Sequence, residues 1–149
     1  MTNDEFAPSA SNSTIRHPSF VIEVSAALIF RSGKLLITQR HANAHLGGLW
    51  EFPGGKREPG ETFEQCLVRE LHEELGVEVS VGELFEEVVH AYPKKTVHLK
   101  FFVCRLEGGE PEPLGCATLK WAGKLELAQY AFPAADARLL DKLRAYNFP

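Results

Sequence analysis

The stretch from Thr62 to Gly76 leaves the chain little conformational freedom, because it carries the start, the stop and the buried face of one helix. The Thr62 hydroxyl can accept a hydrogen bond from the first turn, and Gln65 stands where its side chain can return one, the reciprocal pattern of a capping box. Gly76 follows the last apolar position, where a left-handed residue ends a helix at low steric cost. Leu67, Leu71 and Leu75 recur at helical spacing, so a helix over about Phe63–Leu75 presents an apolar stripe that another layer must cover. At about 100° per residue, Glu70, Glu73 and Glu74 share one arc beside that stripe. Like charges so placed repel by roughly a few tenths of a kcal/mol per pair. A solvated acidic face and a cation site both account for such a cluster. A hard cation such as Mg²⁺ takes oxygen ligands, often one or two carboxylates together with waters and substrate phosphates.

Around this helix the sequence reads mainly as strands. VIEVSAALIF and KLLITQR are two strands joined by the turn Arg31-Ser32-Gly33. HANAHLGGLWEFPGGKREPGE, rich in Gly and Pro, reads as loop around a short extended piece at Leu49–Phe52. Beyond the helix, VEVSVGELFEEVVHAY and TVHLKFFVCRLE are strands turning at Tyr92-Pro93-Lys94-Lys95. Glu107–Gly115 reads as loop, Thr118–Trp121 as a short strand and Leu125–Gln129 as one helical turn. PAADARLLDKLRAY, with a Pro start and Leu139, Leu140 and Leu143, predicts a closing helix. Strands flanking one central helix, with another at the end, suggest an α+β or mixed α/β layered domain. Residues 20–149 form one such domain in this reading, and residues 1–19, rich in Ser, Asn, Thr and Pro, a flexible N-terminal tail.

Charge and cysteine usage narrow the function classes. A formal net charge of -4 argues against a stable nucleic-acid partner, though a bound cation could still draw in a nucleotide. Cys66, Cys104 and Cys116 form no CxxC pair and are odd in number, which argues against a disulfide framework or structural zinc and for a reducing, cytoplasmic setting. No apolar run reaches the length of a membrane span, and the N-terminus lacks the layout of a signal peptide.

The spacing around the helix is more specific than the helix itself. Gly55 is followed by five residues and Glu61, then by seven residues and Arg69-Glu70-Leu71, His72, Glu73-Glu74, Leu75, Gly76 and Val77. This stretch, Gly55 to Val77, resembles the Nudix signature at every defining position. The resemblance implies an αβα sandwich with a mixed sheet, and hydrolysis of a nucleoside diphosphate linked to another moiety with Mg²⁺, or alternatively Mn²⁺. It assigns Glu70, Glu73 and Glu74 to the metal, together with the carbonyl of Gly54, and matches Glu61 and Arg69 to a pair that braces the helix. The chemistry so implied is attack of water on phosphorus, with the metal acidifying water and neutralising phosphate charge. A Glu of the cluster is the natural general base, with Glu70 the first candidate by resemblance.

Outside the box, Gln39-Arg40, Leu49 to Lys56 and Phe132-Pro133-Ala134-Ala135-Asp136 look like MutT-type members, which hydrolyse 8-oxo-dGTP to the monophosphate and pyrophosphate. By that likeness Arg40 contacts phosphate, Phe52 and Tyr92 line the base pocket with His45 beside it, and Asp136 stands where the bacterial prototype reads guanine with an Asn. A carboxylate accepts from guanine N1 and N2 but cannot donate to O6 unless protonated. Gly115 falls where a further acidic residue is expected, and Glu112 is near it in sequence. Three readings follow: a MutT-like nucleoside triphosphate diphosphatase acting as monomer or homodimer, a Nudix hydrolase of a modified dCTP, ADP-sugar or dinucleotide, and a non-catalytic recognition module.

Overall fold

The computed structural model describes residues 21–149; the expected tail, 1–19, lies outside them. The elements run β1 (Val21–Arg31), β2 (Lys34–Gln39), β3 (Trp50–Glu51), β4 (Gly54–Lys56), α1 (Phe63–Leu75), β5 (Glu78–Tyr92), β6 (Lys95–Gly108) and β7 (Thr118–Gly123). Two 3₁₀ turns, Lys124–Gln129 and Ala134–Asp136, then lead into α2 (Ala137–Arg144). These strands form one seven-stranded sheet with the path β3-β2-β1-β6-β5, while β4 pairs with β1 and β7 with β2. Strand β1 runs parallel to β6, from Val21↔Thr96 to Ile29↔Cys104, and the other pairs are antiparallel. The sheet is therefore mixed, as expected.

From Ala26 to Phe30 strand β1 is an unbroken apolar run, because both of its faces are covered there. Ala26 and Leu28 point to one side, among Leu35, Ile37, Phe101, Leu139 and Leu143. Ala27 and Ile29 point to the other, among Leu67, Leu71, Leu75 and Phe102. Period-two alternation thus places α2 on one face and α1 on the opposite one. All three stripe leucines of α1 are fully buried, and truncating one, as in Leu71→Ala, should cost about 2–5 kcal/mol.

The ends of α1 fall where the sequence puts them. Thr62 Oγ1 accepts from the Gln65 amide at 3.0 Å, and the Thr62 amide donates to Gln65 Oε1 at 2.9 Å. Gly76 is left-handed at φ 70° and its amide donates to the His72 carbonyl. The loop after β6 completes this end: the amides of Leu114 and Gly115 donate to the Glu74 carbonyl and that of Glu112 to the Leu75 carbonyl. Carbonyls that a helix C-terminus leaves open are satisfied in this way.

Two expectations need correction. Part of the Gly-rich stretch expected as loop is strand: Gly54-Gly55-Lys56 pairs with β1, Ala26↔Gly54 and Ser25↔Gly55. Glycine is depleted in strands, so composition pointed away from one. Here it is required by close approach, since a Cβ on Gly54 would lie 1.9 Å from the Ser25 carbonyl oxygen. The closing helix is also shorter than expected, because Ala134–Asp136 form a 3₁₀ turn before the α-helix begins at Ala137.

Candidate active site

A cleft of about 350 Å³ opens beside β1, β4 and the C-terminal half of α1. Among the residues lining it are Arg40, His45, Phe52, Gly54, Glu74, Tyr92 and Asp136, so seven positions singled out in the sequence converge on one cavity. Glu70 reaches its edge from below. Its carboxylate fills the space where Gly55 lacks a side chain, so that a Cβ on Gly55 would sit 2.2 Å from Glu70 Cδ. Glu73 stands apart: its side chain is 59% exposed and 3.3 Å from Arg69.

Arg69 organises this edge. Its Nε and Nη2 donate to the two carboxylate oxygens of Glu61, at 2.5 and 3.0 Å. Its Nη1 donates to Glu70 Oε2 at 3.2 Å and to Glu73 Oε1 at 3.3 Å, and its Nη2 also donates to the Lys56 carbonyl. The bidentate pairing with Arg69, with help from the Glu58 amide, holds the Glu61 carboxyl down at about 2. Helix α1 is thereby tied to the turn that precedes it through one planar guanidinium.

The cleft carboxyls have the opposite electrostatics. Burial pushes Glu74 up to about 8, with Glu51 and Glu70 adding to the shift and a 3.2 Å bond from the Gly54 amide opposing it. Burial raises Glu70 as well, against the pull of Arg69. Glu51 is raised by burial despite Arg40, whose Nη1 lies 3.2 Å from it. Asp136, only 5% exposed, is pushed up to about 7 by burial and then by Glu51. Such clustering of shifted groups in a cleft makes it the candidate site of chemistry.

Whether a divalent cation suits these residues is decided by the donor set. Glu74 and Glu70 offer hard oxygen ligands at a half-buried edge where burial makes ionisation costly, and a bound Mg²⁺ would supply the compensating charge. As the side chains stand, however, no group of three or more His, Cys, Asp or Glu among the described residues gathers closely enough to enclose a metal. Arg69 engages Glu70 and Glu73 instead, so full convergence of the acidic arc requires rotation of those side chains.

The aromatic and basic positions have definite neighbours. Phe52 belongs to the core and to the cleft at once, stacking on Phe132 with centroids 5.2 Å apart and an interplanar angle of 13°. The Tyr92 hydroxyl accepts from the Ala135 amide at 3.3 Å, next to Asp136. Arg40 Nε donates to the His45 carbonyl at 2.6 Å, fixing the loop over the cleft. Gly115 lines the cleft and packs on the Glu74 backbone, a Cβ there lying 3.3 Å from Glu74 Cα; Glu112 is exposed on the loop that caps α1.

Sequence reasoning missed Glu51, Lys56 and Lys95, all of which line the cleft. Glu51 had a signal, a charged residue inside the apolar extended piece Leu49–Phe52. Lys95 had none; burial and the neighbouring Lys56 and Arg40 lower it below the ordinary lysine range.

A family model described as NUDIX domain matches residues 25–142. The chain is 41% identical over 125 residues to the CTP pyrophosphohydrolase of Escherichia coli K12, covering 84% of this chain and 93% of that one. It is 36% identical over 113 residues to the 8-oxo-dGTP diphosphatase of the same strain, covering 76% and 88%. A solved structure from a study of MutT of Aliivibrio salmonicida and Vibrio cholerae superposes with a TM-score of 0.71 at 31% identity, covering 84% and 97%. The chain belongs to the NUDIX domain family. No helix among the described residues is long and apolar enough to cross a membrane.

Proposed function

We propose that the chain hydrolyses nucleoside triphosphates to the monophosphate and pyrophosphate in a Mg²⁺-dependent reaction, Mn²⁺ serving as an alternative ion. The observation that carries this reading is one cavity lined by the carboxyls of Glu74 and Glu51 and by the basic residues Arg40, Lys56 and Lys95, with Glu70 at its edge beneath Gly55. Glu70, Glu73, Glu74 and the Gly54 carbonyl would hold the cation. When bound, Mg²⁺ supplies positive charge to the phosphate oxygens and makes water a better nucleophile. Arg40, Lys56 and Lys95 bind the remaining phosphate oxygens, orienting the chain of phosphates along the cleft. Glu70, whose carboxylate lies beneath Gly55 at the edge of the cleft, accepts the proton from the attacking water. Glu61 and Arg69 hold the helix edge in place. Phe52, Tyr92 and His45 enclose the base, which stays stacked and shielded from water. The reading needs neither a nucleic-acid nor a membrane partner, and the protein acts in the cytoplasm as a monomer or homodimer.

Asp136 supports more than one base. Ionised, it accepts from guanine N1–H and N2–H; protonated, it can also donate, pairing with an acceptor and donor in line such as cytosine N3 and N4–H. With Asp136 held at about 7, both forms are present near neutrality. This favours keeping the pyrimidine reading beside the oxidised purine, as does the likeness to a CTP pyrophosphohydrolase. The sign of the pH effect follows: below about 7 the donor form dominates and cytosine is served best. The ratio of kcat/KM for dCTP over 8-oxo-dGTP should therefore fall between pH 6 and pH 8, and in Asp136→Asn it should become flat. Measured kcat/KM for 8-oxo-dGTP, dGTP, dCTP, 5-methyl-dCTP and ADP-ribose tests the reading, because specificity is a ratio of these values. A preference for ADP-ribose over every triphosphate would overturn it.

A further inference from the structure

The acidic edge of α1 is aimed by Arg69 and Glu61, and what fixes Glu61 lies further back, on β1. Arg57, directly after β4, donates through its amide to the Glu23 carbonyl at 2.8 Å. Its Nε donates to Glu23 Oε1 at 2.8 Å and its Nη2 reaches the same oxygen. The remaining arm, Nη1, donates to the Glu61 backbone carbonyl at 2.7 Å. One guanidinium therefore spans the central strand and the turn that carries Glu61. The next residues are secured from the same strand: Ser25 Oγ donates to the Phe63 carbonyl at 2.6 Å, and the Arg57 guanidinium lies 5.7 Å from the Phe63 ring.

From there the connection runs outward. The Glu61 carboxylate takes both forks of Arg69, and Arg69 holds Glu70 Oε2. The turn between Arg57 and Thr62 contains Pro59-Gly60 and no regular structure, so its position depends on such cross-links. An exposed ion pair contributes little, but this one is half-buried, at 27% and 32% side-chain exposure, and its third bond is to a backbone carbonyl. A planar fork serves both acceptors at once; an ammonium is a compact point charge without that geometry.

We propose that Arg57, anchored by Glu23, is a positioning residue that sets the aim of Glu70 through Glu61 and Arg69. This rests on the reading of the cleft as a divalent-metal diphosphatase. The test compares wild type with Arg57→Ala, Arg57→Lys, Glu23→Gln and the Arg57→Ala/Glu23→Gln double variant. Mn²⁺ affinity is read on substrate-free protein from the electron paramagnetic resonance signal of the free ion; kcat and KM are read with a nucleoside triphosphate. Arg57→Ala should weaken Mn²⁺ binding and lower kcat by about 10-fold each, as removal of groups behind metal ligands does. KM for the nucleotide should stay within about twofold, since substrate binding is not touched. Arg57→Lys and Glu23→Gln should fall between, and the double variant should be no worse than Arg57→Ala, because both substitutions cut one link. Wild-type Mn²⁺ affinity and kcat in Arg57→Ala, whatever its thermal midpoint, overturn the proposal. Should Arg57→Ala lack a folded circular dichroism spectrum, Arg57→Lys and Glu23→Gln decide by the same criterion. If wild type hydrolyses no nucleotide, the functional reading falls, while the Mn²⁺ affinities still decide the role of Arg57; a wild type that binds no Mn²⁺ overturns both.

Discussion

Glu74→Gln should lower kcat by about 100-fold or more while making the chelator-treated protein more stable at pH 8. The loss follows from removing the one residue of the acidic arc that lines the cleft and was proposed to hold the cation. The gain follows from linkage. The Glu74 carboxyl, ordinarily at 4.5, is held at about 8 in the fold, so between those values the folded state binds the extra proton. Stability then falls as pH rises from about 4.5 to about 8, the cost of ionising a buried carboxyl being fully present above the upper value. The whole span corresponds to at most roughly 5 kcal/mol, less whatever the side chain recovers by moving toward water. Glutamine keeps the shape and removes the titration. Calorimetry in chelator should show the variant melting roughly 5 °C or more above wild type at pH 8 and level with it at pH 5. A lower melting point at pH 8 together with unchanged kcat would place Glu74 among structural residues.

The second large effect is at Gly55. Gly55→Ala should lower kcat by about 100-fold, the scale of an ångström-sized misplacement of a reacting group, with little loss of stability. The added Cβ would lie 2.2–2.5 Å from the Cδ and both carboxylate oxygens of Glu70, which is the free end of a flexible chain and can swing aside. Gly54→Ala meets the Ser25 backbone instead, at 1.9 Å, and should cost the fold itself about 1–3 kcal/mol. Neighbouring glycines would thus separate activity from stability. In a Glu70→Ala background Gly55→Ala should add nothing to the loss, because its target is gone. Additive losses would show that Gly55→Ala acts elsewhere.

Much of this architecture was legible in the sequence because local and global preferences agree. Thr62, Gln65 and Gly76 write the ends of α1 into residues next to it, and the leucine stripe states that a layer covers it. The continuous apolar run Ala26–Phe30 of β1 holds the information for two covered faces, although only the partner elements reveal it. The strand at Gly54-Gly55 was hidden because its reason is a contact distant in sequence, with Ser25 on one side and Glu70 on the other. Glycine spelled loop locally and close approach globally. In the site, the box residues were visible by spacing, whereas Glu51 and Lys95 enter the cleft through pairing and turn geometry. The acidic arc was also flatter on paper than in space: Glu74 is inside the cleft, Glu70 beneath Gly55 and Glu73 largely in water.

The most direct measurement is the product pattern. The protein is incubated with dGTP, 8-oxo-dGTP or dCTP and Mg²⁺, and phosphorus NMR follows the products. The expected result is one nucleoside monophosphate and one pyrophosphate per turnover, none in excess chelator, and a rate at least about 100-fold lower with Glu74→Gln. Stepwise release of orthophosphate, or an undiminished rate in chelator, would contradict it.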